Sequence, residues 1–127
     1  MLKIEPADGR TRFRPGDAVE GTVLWRFERE PRKVELRLFW YTRGNGMQDA
    51  DVVESLLFEV PRVEERRMFR FTVPVGPYSF SGKLISLVWA LELIAVSPDE
   101  TERLDITVSP TGQEILLQKT EGGEAQK

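Results

Sequence analysis

Apolar and polar side chains alternate along most of this chain, and proline interrupts the alternation at intervals. A period of two places successive side chains on opposite faces of an extended strand. From Ala18 to Glu28, Val19, Gly21, Val23, Trp25 and Phe27 alternate with Glu20, Thr22, Leu24, Arg26 and Glu28. From Lys33 to Thr42, Val34, Leu36, Leu38 and Trp40 form one face, and Glu35, Arg37, Phe39 and Tyr41 the other. Leu104, Ile106 and Val108 alternate with Arg103, Asp105 and Thr107. Pro6, Pro15, Pro31, Pro61, Pro74, Pro77, Pro98 and Pro110 sit at the edges of such runs. Proline lacks a ladder donor, so it belongs at strand ends and turns. Short alternating runs separated by turn signals predict a β-sandwich or barrel.

Further strands are expected over Leu2 to Glu5, Thr11 to Phe13, Val52 to Val60, Arg67 to Val75 and Glu114 to Gln118. In the Arg67 run, Phe69, Phe71, Val73 and Val75 are expected to face inward. Gly21 has no side chain to pack and marks a bend or a close backbone approach. The run Lys83 to Val96 fits two structures. Leu84, Leu87, Ala90, Leu91, Leu93 and Ala95 suit a helix, while Ile85, Val88, Trp89, Ile94 and Val96 suit a strand. A long strand is expected, because its neighbours are strands.

At 127 residues the chain has the length of one domain. Residues 1–118 are expected to form it, with 119–127 as a polar, disordered tail. Cysteine and histidine are both absent, which rules out disulfides, thiolate metal sites and any Ser-His-Asp or Cys-His catalytic group within the chain. Carboxylate, lysine and tyrosine chemistry stay open, but no pair of acids can be placed across a cleft. The expected reading is no enzyme and no cofactor. Net charge is −3 with the signs interspersed, so no nucleic-acid footprint is expected. The N-terminal segment carries acids and a proline where a signal peptide needs an apolar core, and no apolar run reaches membrane-spanning length. A soluble, cytoplasmic protein is the expectation.

Two stretches together resemble the arrestin superfamily. One is Phe13-Arg14-Pro15-Gly16-Asp17-Ala18-Val19-Glu20-Gly21-Thr22-Val23, similar to that superfamily's aromatic-x-Pro-Gly-acid-x-Val-x-Gly-x-Val strand opening. The other is Phe69-Arg70-Phe71-Thr72-Val73-Pro74, then Pro77-Tyr78-Ser79-Phe80-Ser81-Gly82, then the apolar run through Trp89. It is similar to the phenylalanine-rich strand, Pro-x-Ser-x-x-Gly loop and long strand of the N-terminal lobe. The resemblance covers about Leu2 to Val108. It implies an all-β, immunoglobulin-like, two-sheet antiparallel β-sandwich acting as a non-catalytic adaptor or scaffold in protein contacts. Relatives of that kind have two lobes, whereas this chain has length for one and lacks a recognisable polar-core constellation. A homodimer is therefore expected in place of the second lobe.

Four sets of residues carry the functional expectations. Phe39, Tyr41, Leu56 and Phe58 place apolar side chains where a wet face is expected, and form the candidate interaction surface. Strand addition at an open edge is a further route to a partner. Asp49, Asp51 and Glu54 in one loop region, and Asp99, Glu100, Glu102 and Asp105 in another, make the alternative: a calcium- or small-ligand-binding sandwich using acidic end loops. No calcium-loop spacing appears among them, so solvated turns are the simpler reading. Trp25, Trp40 and Trp89 could form a sugar platform but fall on core faces. Arg62, Arg66, Arg67 and Arg70 could hold a phosphate or acidic partner. Glu64 and Glu65 lie among them, which favours a mixed-charge surface.

Overall fold

The strands of the computed structural model, which describes residues 1–44, 49–82, 85–111 and 113–116, lie in two sheets. The smaller sheet has the order β1 (Leu2–Pro6), β3 (Ala18–Arg26), β6 (Glu64–Thr72). The larger is built on β8 (Ile85–Val96), paired along one edge with β4 (Lys33–Gly44). Its other edge pairs first with β7 (Phe80–Ser81) and then with β9 (Glu100–Val108). Beyond β4 lies β5 (Ala50–Phe58), the outermost strand on that side. Two short parallel pairs finish the sheet: β2 (Arg12–Phe13) with β9, and β10 (Ile115–Leu116) with β7. All other pairings are antiparallel. A single 3-10 turn, Ala7–Gly9, follows β1.

Each alternating run buries the face its period predicts. Val19, Val23 and Trp25 of β3 meet Val34, Leu36 and Leu38 of β4 in one core, with Phe69, Phe71, Leu91, Leu93 and Ile106. Lys83 to Val96 resolves as a strand from Ile85, because β4 on one side and β7 and β9 on the other satisfy its backbone. Trp25 and Trp89 are fully buried, and Trp40 packs against the same core. Each buried indole N–H finds a carbonyl: Trp25 donates to Arg62 O and Trp89 to Pro77 O, both at 2.8 Å. No sugar platform is formed by these rings.

Three local expectations are corrected. Val75 was expected inward but is 85% exposed, because β6 ends at Thr72 and the chain turns after Pro74. The strand expected to reach Val60 ends at Phe58; Val60 sits at φ 51, in a left-handed conformation that no strand can contain. The strand expected over Glu114 to Gln118 is observed as Ile115–Leu116, and residues 117–127, including the expected tail, lie outside the described residues.

The two motifs of the family resemblance are structural devices. Arg14-Pro15-Gly16-Asp17 is a turn closed by Asp17 N–H donating to Arg14 O at 3.0 Å. Proline fits its second position, and Gly16 supplies the positive φ of 88° that its third demands. Asp17 Oδ2 accepts the Arg14 N–H at 2.8 Å and braces the turn from within. In the Pro-x-Ser loop, Ser79 is buried, donates its N–H to Val108 O at 2.7 Å, and accepts the Val108 N–H on Oγ at 2.9 Å. It ties the loop before β7 to the end of β9.

Candidate functional site

Strand register decides which side chains share a face, since directly opposed residues point the same way. Along β4, Phe39 and Tyr41 point away from the core, because Leu38 and Trp40 point into it. Phe39 opposes Ala90 on β8 and Val52 on β5, and Tyr41 opposes Val88 and Ala50. The outer face of the large sheet therefore carries an apolar island. Its two rings stack at 5.8 Å with an interplanar angle of 25°. The Arg103 guanidinium of β9 lies over both, 5.4 Å from the Phe39 centroid and 5.0 Å from that of Tyr41. Phe39 is left 8% exposed and Tyr41 half-buried, while Val52 beside them is 49% exposed.

A charged ladder borders the island. Arg103 pairs with Glu92 at 3.6 Å, and Glu92 opposes Arg37, which pairs with Glu35 at 3.2 Å. Burial works against ionisation of Glu35, but hydrogen bonds from Arg37 and Lys33 hold its carboxyl below the ordinary value. Leu57, opposite Glu35, is 53% exposed and is separated from the island by Arg37 and Ser55.

The expected surface is thus divided. Phe39 and Tyr41 face outward, whereas Leu56 and Phe58 oppose Leu36 and Val34 and belong to the core side. Phe58 is buried against Trp25, with ring centroids 5.7 Å apart. Register sets this division, and a bulge between Leu38 and Phe39 then shifts β5 beyond it. On its near side Glu54 opposes Leu38; beyond it Phe39 opposes Val52, so the phase of β5 reverses. Val52 joins the aromatic pair for that reason. Val52 and Arg103 were missed by sequence reasoning. Arg103 reaches the island only through the pairing of β8 with β9, and no local pattern signals it.

Several of the other candidates are engaged elsewhere. Glu100 accepts the Met1 amino group at 3.3 Å and the Leu2 N–H at 3.1 Å. Asp99 accepts the Ser97 N–H at 2.9 Å. Among the described residues no three acidic side chains gather where they could hold a metal ion. Within the arginine cluster, Arg67 lies over the Trp25 and Phe58 rings at 5.9 and 6.0 Å. It pairs with Glu65 at 3.0 Å and donates to Glu59 O. Hydrogen bonds from Arg67 and from the Arg62 N–H keep the Glu65 carboxyl below its usual value against a burial cost. Arg70 pairs with Glu20 at 3.7 Å.

The outer strands on one side of the sandwich carry charge in unusual positions. Glu54 and Asp51 of β5 oppose Leu38 and Trp40, on the core-side face, yet both are exposed. On β6, Glu65 and Arg67 oppose Trp25 and Val23. Inward-pointing charge and a bulge are two means by which sheets block strand addition. The β6 edge carries inward charge, and the β5 edge carries a bulge beside its core-side acids.

No protein-family model matches the chain, and no curated protein sequence does. Among solved structures the fold matches Spo0M, the sporulation control protein of Bacillus subtilis, with a TM-score of 0.60 at 18% identity. The match covers 86% of this chain and 48% of that one, so the chain spans about half the length of the protein it matches. The fold is an arrestin-like, immunoglobulin-like β-sandwich. Among the described residues no helix is long and apolar enough to cross a membrane.

Proposed function

We propose that this domain is a non-catalytic, adaptor-like interaction module that docks a protein partner on the outer face of its large sheet. The observation that carries this reading is the Phe39–Tyr41 stack under Arg103, extended by exposed Val52. Aromatic and arginine side chains are enriched at binding surfaces, because they offer large area and directed polar contact together. An outer sheet face without a partner has no need of them. The guarded edges of β5 and β6 support face docking over strand addition. A cytoplasmic setting and residues 1–118 acting as one unit belong to the same reading. So does self-association, which sedimentation at micromolar concentration measures directly.

The test is affinity capture from the native host with wild-type protein and a Val52→Lys/Arg103→Glu variant. Both positions are on the surface, so the melting temperature should stay nearly unchanged. Proteins captured by the wild type should be lost with the variant. Capture of the same set by both would sink the reading.

A further inference from the structure

A second surface lies where β2 pairs with the end of β9. In the run Arg10-Thr11-Arg12-Phe13-Arg14, three arginines alternate with two residues that face the protein. Phe13 is buried in the core, and Arg10, Arg12 and Arg14 are exposed. Together with Asp17, Thr111 and Gln113 the arginines line a cleft of about 470 Å³.

The backbone beneath this stripe is fixed. Thr11 O accepts the Thr107 N–H at 2.8 Å, and Phe13 O accepts the Ser109 N–H at 3.1 Å. Gly16 N–H donates to Val73 O, and Val73 N–H to Asp17 O. The Arg10 side chain is also held: Nε donates to Arg12 O at 2.8 Å, Nη2 donates to Asp17, and the guanidinium lies 4.5 Å from the Phe13 ring centroid. Among the described residues, Arg12 and Arg14 make no side-chain ion pair. Three guanidinium groups against the single carboxylate of Asp17 leave this cleft positive on a chain whose net charge is −3.

We propose that Arg12 and Arg14 of this stripe bind an extended acidic segment of a protein partner, with carboxylates at alternate positions. The spacing selects this ligand. Residues two apart on an extended chain repeat every 6.6 Å or so, and an extended peptide lying alongside has the same repeat. Arg10 is already engaged by Asp17, which leaves the Arg12 and Arg14 guanidinium groups for a partner's carboxylates. The backbone under the stripe is fixed by the contacts above, so only the Arg12 and Arg14 side chains need ordering on binding. The inference rests on the reading of the domain as an interaction module, but not on the aromatic face.

The probe is a fluorescently labelled, amidated peptide of alternating serine and glutamate, followed by anisotropy against the whole chain. A peptide with glutamine in place of glutamate is the control. Saturable binding of the glutamate peptide, weakening as salt rises, is expected. An Arg12→Gln/Arg14→Gln variant should lose about tenfold or more in affinity, since two charge-assisted contacts go. Arg103→Glu should bind the peptide as the wild type does, which separates this site from the aromatic face. Failure of the glutamate peptide to bind, equal binding of the glutamine peptide, or unchanged affinity in the arginine variant would each overturn the proposal. So would displacement of the peptide by millimolar inorganic phosphate at constant ionic strength, which would mark a site for small oxyanions.

Discussion

A single hydrogen in place of a methyl group decides how β1 meets β3. Gly21 opposes Pro6 in their ladder, and a Cβ built on it would fall 2.8 Å from Pro6 Cα and closer still to the Glu5 carbonyl oxygen. These are backbone atoms, which cannot swing aside. Gly21 was legible as a close approach because it is the one residue in an otherwise well-filled apolar face that lacks a side chain. Gly21→Ala should therefore lower stability by about 1–3 kcal/mol, the usual cost of overpacking. Urea unfolding checks this: the midpoint should fall with the slope unchanged. Val60 teaches the reverse lesson. Its β-branched side chain suits a strand, yet the crossing from β5 to β6 holds it at φ 51 and 79% exposed. Intrinsic preference lost to the geometry of a loop that must change layers.

At the scale of elements, the interior was legible and the pairing was not. Alternation located β3 and β4 within two residues and β9 within three, since one face of each is buried and the other wet. The register of the β4–β5 pair and its bulge carry no sequence mark, and between them they split the expected surface. Leu56 and Phe58 went to the core, and Val52 came out to the aromatic pair. On β6, Arg67 covers the open side of the core over Trp25 and Phe58 while paired with Glu65. Removing it uncovers two rings and strands a half-buried carboxylate. Arg67→Ala should cost about 1–2 kcal/mol, from the lost cation–π contact and ion-pair hydrogen bonds. Thermal unfolding followed by tryptophan emission reads both the stability loss and any new access of water to Trp25.

For the whole molecule, acid stability follows from carboxylates spread over both sheets and a turn. Hydrogen bonding to the Arg14 N–H and the Arg10 side chain holds Asp17 below its ordinary value, and Glu65 and Glu35 are lowered as described. A carboxyl whose folded value is depressed adds stability that is fully present above its unfolded value. That stability is lost as pH falls through the folded one. Folding free energy should be level above about pH 5 and decline below it. In an Asp17→Asn/Glu35→Gln/Glu65→Gln variant the decline should be shallower, although stability at neutral pH is lower. Urea titrations at a series of pH values compare the two slopes, and equal slopes would place the acid sensitivity elsewhere.

The inward-facing Glu54 and Asp51 of β5 bear on what happens when many copies are crowded together. Two sandwiches with bare outer strands can zip into a continuous sheet, and the far side of each then recruits the next, so growth has no natural end. A charge turned toward the neighbour's interior stops that reaction at its first step. Along β5, zipping of that kind is blocked where it would begin.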